Sequence, residues 1–231
     1  NVAPNTTMIG YAARKRTSNI YMDAKSDVLQ PEKIYVAQPT LPEYPLLDEK
    51  FRDIARSLVL SNFAQYSNKL EIEVANILEV KRALSFPNAT SSLMLALKAL
   101  DLKGEVILPS YTFSATGHAV VWNGLTPVFA DINPRTFNID PDAAGEAMTA
   151  RTKAIVPVHL FGLSADLDPL LTVTSRSGVS IIEDSCQAIG ARYKGQCVGA
   201  LGMAGGLSFF PSKSLGAYGD AGLIATNDDA L

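Results

Sequence analysis

Apolar and polar positions change their rhythm once along this chain. In LLDEKFRDIARSLVL the apolar positions Leu47, Phe51, Ile54 and Leu58 recur every three to four residues, and Leu70, Val74, Ile77 and Leu78 do so in NKLEIEVANILEV. That spacing predicts two amphipathic helices. From residue 81 onward short apolar runs take over: EVILP (105–109), TPVFAD (126–131), KAIVPV (153–158), VSIIED (179–184), GGLSFF (205–210) and GLIAT (222–226). Each has the length of a strand, and several are apolar enough to be buried on both faces. Helical stretches lie between several of them, in SSLMLALKAL, SATGHAVVWNG, DPDAAGEAMT and DLDPLLTVTSR. Strand and helix in alternation predict an α/β fold, a mostly parallel sheet with helices covering both faces. No repeat of fixed period and no low-complexity tract breaks the pattern.

Before residue 47 the picture differs. Residues 1–33 are polar and without periodicity, and read as a loosely held arm. Pro39, Pro42 and Pro45 punctuate IYVAQPTLPEYP, which predicts an extended rather than a helical segment.

Composition narrows the class. The 231 residues are 47% apolar and 19% charged with a net charge of −3, the profile of a soluble globular domain large enough to bury a substantial core. With no basic block or stripe, neither nucleic acid nor a membrane surface is expected as a partner. No apolar run has the length of a membrane span, and NVAPNTTMIGYAARKR lacks the charged-then-apolar order of a signal peptide. The two cysteines, Cys186 and Cys197, form no C-x-x-C pair and are too few for a disulfide framework or a zinc site. A reduced, cytoplasmic setting is the expectation, and with it the N-x-T patterns at Asn5 and Asn88 carry no meaning as glycosylation sites.

In a sheet of this kind functional residues gather where strands end. Lys213 follows the run GGLSFF in a loop rich in Gly and Ser; a lysine there can bond an aldehyde cofactor once it loses its proton. Taken alone it is an ordinary exposed lysine. Five residues earlier, Ser208 offers a hydroxyl to a phosphate. Glu183 and Asp184 close another run, where a carboxylate can pair with a protonated pyridine nitrogen and keep the ring an electron sink; equally, either can simply cap a helix. Gln187 lies within reach of a ring oxygen. Thr90, Ser91 and Ser92 open an apolar helix, an end that is either a phosphate cradle or plain N-capping. Tyr111 and Phe113 follow a strand and can stack on a ring or pack in a core. His118 and His159 are the two histidines; with no acidic or cysteine cluster at ligand spacing no metal site is expected, and His159, after KAIVPV, is the better placed of the two for a site. No G-x-S-x-G elbow, G-x-G-x-x-G or P-loop pattern occurs.

In order, the stretches QPTLP, NATSSLMLALKAL, EVILPSYTFSAT, GLTPVFADI, AIVPVHLFG, IIEDSCQAIGARYKG and LSFFPSKSLGAYGDAGLIATND resemble the DegT/StrS-type sugar aminotransferases across roughly residues 34–231. The resemblance implies the three-layer large domain of fold-type-I enzymes that use pyridoxal 5′-phosphate (PLP). It implies Lys213 as the lysine that holds the cofactor and acts in catalysis, Asp184 on the pyridine nitrogen, Gln187 on the ring's O3′, Phe113 against the ring, and Thr90, Ser91 and Ser208 on the phosphate. Relatives with histidine in place of Lys213 dehydrate sugars, so Lys213 implies transamination, with glutamate as amino donor and a nucleotide-linked keto-deoxysugar as acceptor. Ala89 stands where the family more often has glycine, and a phosphate turn with positive φ there would be strained. A smaller C-terminal domain beyond Leu231, carrying part of the pocket, and a homodimer are further implications. The other readings are a truncated or non-catalytic PLP-binding relative with a regulatory or partner-binding role, and another fold-type-I enzyme such as a desulfurase or decarboxylase. TPVFADINPRTFNIDP and GAYGDAG favour the sugar family over the last.

Overall fold

All six apolar runs become strands. The computed structural model describes Tyr35, residues 37–175 and residues 177–231; the arm expected over 1–33 lies outside them. The strands, in chain order, are β1 (Arg82–Phe86), β2 (Glu105–Pro109), β3 (Thr126–Ala130), β4 (Thr152–Ile155), β5 (Ser180–Asp184), β6 (Arg192–Tyr193), β7 (Gln196–Cys197), β8 (Ala204–Ser208) and β9 (Gly222–Thr226). The helices are α1 (Tyr44–Ser57), α2 (Gln65–Leu78), α3 (Ala89–Ala99), α4 (Ser114–Trp122), α5 (Pro141–Glu146) and α6 (Leu167–Ser175). β6 and β7 pair as a small separate hairpin, and the other strands form one seven-stranded sheet in the order β1-β9-β8-β5-β4-β2-β3. β9 alone in that sheet runs against its neighbours. β1 was not among the expected strands. Its burial alternates irregularly and its partner lies far along the chain, with Arg82 opposite Thr226.

The pleat sorts the apolar runs between two faces. Val106, Leu108, Ala154, Val156, Ile182, Ala204 and Ile224 join α3 and α4 in one core cluster. Ile107, Ile155 and Ile181 turn the other way and pack with α5 and α6, while Leu207, Leu223 and Ala225 pack on that side with α2. Burial on both faces is why these strands read as unbroken apolar runs. In α2 the expected stripe is borne out at Val74 and Leu78, both buried. In α1 the helix forms but none of its residues is buried, and Leu58 closes it in a left-handed conformation with φ 56°. Pro45 sits in its first turn, where a missing N–H leaves no bond unmade, rather than in the extended stretch before it.

The opening of α3 lies unusually close to the sheet. Phe86, Gly222 and Ser208 stand side by side across β1, β9 and β8. A Cβ on Gly222 would lie 2.3 Å from the carbonyl carbon of Asn88 and 2.4 Å from the amide nitrogen of Ala89. The glycine that this corner needs is therefore Gly222, not residue 89. Ala89 is an ordinary first helical residue, absent from the positive-φ positions, so the strain expected there does not arise. Gly222→Ala is expected to force α3 off the sheet at a cost of about 1–3 kcal/mol, read as a lower denaturation midpoint. Gly219→Ala, with open space around it, is the control.

Candidate active site

Pleat parity decides between the two acids that close β5. Asp184 follows Ile182 onto the α3/α4 face, and Glu183 follows Ile181 onto the other. The Asp184 carboxylate is buried. Its Oδ2 accepts the Thr116 hydroxyl at 2.8 Å and its Oδ1 the Cys186 amide at 3.2 Å. Its backbone is tied on both sides, its N–H donating to the Pro157 carbonyl at 2.9 Å and its carbonyl accepting from His159 at 3.0 Å. Lone pairs remain on both carboxylate oxygens for a further donor.

Glu183 has a structural task. Its Oε2 accepts from His159 Nε2 at 2.9 Å and from Gly199 N–H at 2.7 Å, and its Oε1 accepts from Gly202 N–H at 2.8 Å. His159 is fully buried, and its Nδ1 accepts from the Ala165 amide at 3.0 Å. That acceptor role fixes the tautomer, with the proton on Nε2 facing Glu183. Both ring nitrogens are occupied, so His159 braces the loop after β4 and does not present a nitrogen to the site. His118 is exposed on α4.

Lys213 lies in a compact loop after β8. Its N–H donates to the Phe210 carbonyl at 2.8 Å, and Ala217 closes the loop onto the Phe209 carbonyl at 2.7 Å. The side chain is half-buried and close enough to Cys186 for its charge to act there. Burial pushes the Cys186 thiol well above its ordinary range, the Asp184 charge adds to this, and the Lys213 charge opposes it.

Gln187 is oriented by the strained turn after β4. Phe161 adopts φ 54°, and its N–H donates to Gln187 Oε1 at 2.8 Å, which leaves the side-chain NH2 as the outward donor. At the head of α3, Asn88 caps the helix, and Ser91 donates both its N–H (2.8 Å) and its hydroxyl (3.0 Å) to Asn88 Oδ1. The first-turn amides of Ala89 and Thr90 have no helical acceptor, and Ala89 N lies at the close approach to Gly222. Ser208, paired across from Gly222, stands on that same face. Phe113, the residue before α4, is 73% exposed, a ring with nothing over it. Tyr111 instead pairs with Phe137, ring centres 5.9 Å apart.

These residues fit a pyridoxal phosphate. A buried carboxylate is held by two donors with capacity left. The charge of a half-buried lysine, Lys213, acts on the neighbouring Cys186 thiol. Open helix amides face a corner that a single Cβ at position 222 would fill, and an uncovered ring stands one helix away. Among residues the sequence did not single out, Thr116 is the one whose side chain hydrogen-bonds to the Asp184 carboxylate. Its signal was present: it shares a helix face with Ala119 and Val120, both buried, so a hydroxyl at that spacing is a polar group inside a core and requires a partner.

A sheet with its functional residues at one edge, a lysine loop and a buried aspartate define a fold-type-I large domain. The chain belongs to the DegT/DnrJ/EryC1/StrS aminotransferase family, whose model matches residues 46–231. It is 47% identical over 168 residues to the pleiotropic regulatory protein of Geobacillus stearothermophilus, covering 72% of this chain and 45% of that one. It is 44% identical over 191 residues to the UDP-N-acetyl-3-dehydro-alpha-D-glucosamine 3-aminotransferase of Acidithiobacillus ferrooxidans, covering 81% of this chain and 52% of the relative. Among solved structures, DesI in the presence of its TDP-sugar product superposes with a TM-score of 0.82 at 39% identity, covering 85% of this chain and 50% of DesI. The chain therefore spans about half the length of the relatives it matches. No described helix is long and apolar enough to cross a membrane.

Proposed function

We propose that the whole protein is a PLP-dependent aminotransferase acting in the cytoplasm as a homodimer. It moves an amino group from glutamate to the keto group of a nucleotide-linked deoxysugar. The observation that carries this reading is Asp184, buried and held by Thr116 and Cys186. A bound PLP supplies an aldehyde carbon conjugated to a ring that takes up electrons. Asp184 would hold the ring nitrogen, and the Gln187 amide the ring oxygen. Phe113 would cover one face of the ring and exclude water from it. The amides of Ala89 and Thr90, with Ser208, would hold the phosphate, the helix end favouring its charge; Ser91 supports that turn through Asn88. Lys213 would hold the aldehyde group, and its Nζ, once free, would accept a proton from the donor's α-carbon and give it back, base and then acid.

The relatives support the substrate class. The protein from Acidithiobacillus ferrooxidans is named for amination of a UDP-linked keto sugar, and DesI holds a TDP-sugar product. A second reading, a PLP-binding regulator without transfer activity, is favoured by the likeness to the pleiotropic regulatory protein. One assay separates them. The full-length protein, loaded with PLP, is given glutamate and a panel of nucleotide keto-sugars. The expected result is 2-oxoglutarate and amino sugar in equal amounts. A Lys213-dependent absorbance band near the visible edge with no amine transfer to any panel member would favour the regulator. No such band would sink both. A monomer in light scattering would count against the dimer.

A further inference from the structure

Asp184 needs an orientation as well as a charge, and one segment supplies it. A hydroxyl carries a single proton. Thr116 Oγ1 has three polar neighbours: Asp184 Oδ2 at 2.8 Å, Thr112 Oγ1 at 2.8 Å and the Phe113 carbonyl at 3.1 Å. The carboxylate and the carbonyl only accept. A bond to a carboxylate is roughly twice as strong as one to a neutral acceptor, so the Thr116 proton goes to Asp184. Of the three neighbours, only the Thr112 hydroxyl can then donate to Thr116. We propose that Thr112 and Thr116 form a directional hydroxyl relay, Thr112 to Thr116 to Asp184, with Thr116 as the positioning residue that aims the Asp184 carboxylate at the cofactor's ring nitrogen. The proposal rests on the cofactor reading above.

Three observations support the assignment. Thr116 is 2% exposed on a helix face otherwise packed with Ala119 and Val120, where valine fills the same volume without a polar atom. Burying an unpartnered hydroxyl there would cost on the order of 1–3 kcal/mol. Second, threonine has two χ1 rotamers in a helix, and the one here sets Oγ1 2.8 Å from Thr112 Oγ1 and 3.1 Å from the Phe113 carbonyl, contacts that need no ligand. Third, the two donors to Asp184 come from different elements, Thr116 from α4 and the Cys186 amide from the turn after β5, and two such anchors fix the plane of the carboxylate. Phe113 stands between the relay's two threonines, so the five residues 112–116 place the covering ring and aim the carboxylate together.

The test uses full-length wild type, Thr116→Val, Thr116→Ser and Thr112→Val, with three readouts. These are the PLP dissociation constant of the apoprotein, kcat and KM for amine transfer, and the melting temperature of the apoprotein. A lost hydrogen bond to a charged group corresponds to about 10- to 100-fold, so Thr116→Val is expected to weaken PLP binding and lower kcat by about that factor. KM for the amino donor is expected to stay within about two-fold, since the relay touches no substrate. Thr116→Ser restores both quantities, and Thr112→Val shifts them the same way by less. A residue that only packs would move the melting temperature and leave PLP affinity and kcat alone; that outcome for Thr116→Val overturns the relay. If Thr116→Val does not fold, Thr112→Val decides, and wild-type PLP affinity and kcat in that variant overturn it. A wild type that binds no PLP overturns the relay and the cofactor reading together, whereas a Lys213-dependent band with a silent Thr116→Val overturns the relay alone.

Discussion

Replacing Lys213 with alanine is expected to lower amine transfer by at least about a thousand-fold, because two functions are lost together. A positioned general acid–base contributes about 10²–10⁴-fold by itself. The same nitrogen is the point of attachment for the aldehyde, so the absorbance band near the visible edge is expected to vanish as well. The fold should not notice. The Lys213 side chain takes part in no hydrogen bond or ion pair among the described residues, and its loop is closed by backbone bonds from Lys213 and Ala217. The denaturation midpoint of the apoprotein is therefore expected to stay within about 0.5 kcal/mol of wild type. Spectroscopy of both proteins with added PLP, alongside urea unfolding of both apoproteins, checks the two halves. A variant that keeps the band, or that loses activity only because it unfolds, would remove Lys213 from the site.

Glu183→Met is expected to be the costliest single change for stability. The chain length is matched and no acceptor remains, so two buried donors, His159 Nε2 and Gly199 N–H, and the part-buried Gly202 N–H face a thioether. Each orphaned donor costs about 1–3 kcal/mol. Partial relaxation brings the sum to about 3–5 kcal/mol, a large part of the roughly 5–15 kcal/mol that holds a domain together. Glu183→Gln keeps one accepting oxygen and turns an NH2 toward a donor, so about 1–3 kcal/mol is expected. Urea midpoints of the three proteins give the ranking. Because His159 also donates its backbone N–H to Asp184, Glu183→Met should weaken PLP binding too, although Glu183 lies on the opposite face of β5.

Much of this was legible in the sequence, for reasons particular residues make plain. The runs EVILP and GLIAT became strands to the residue, because a strand buried on both faces has no polar alternation to blur its ends. Glu183 and Asp184 could not be told apart on composition, and the pleat places them on opposite faces, as Ile181 and Ile182 face different cores. β1 escaped notice since RALSF is short and mixed, and its partner is set by tertiary pairing rather than by local pattern. The stripe of α1 was read correctly as helical, but periodicity cannot say what covers a face, and here nothing described does. Thr116 looked like part of an ordinary helix. Its importance lies in a partner 68 residues away, and no local rule reaches that far. His159 pointed at the right sheet edge and proved to be a brace, because a histidine's role depends on what its two nitrogens meet.

The closeness of α3 to Gly222 also has a kinetic side. The strands that form the phosphate corner are β1, β8 and β9, and they are joined by long loop closures; the bond from the Lys81 amide to the Asn227 side chain spans 146 positions. Loops of that length close late and slowly compared with local helices. During synthesis, α3 can form as soon as it emerges, but its open amides have no floor until β9 arrives beneath them. On the proposed reading, cofactor capture is thus tied to the last described strand, and a chain still short of Gly222 would carry the helix without the corner.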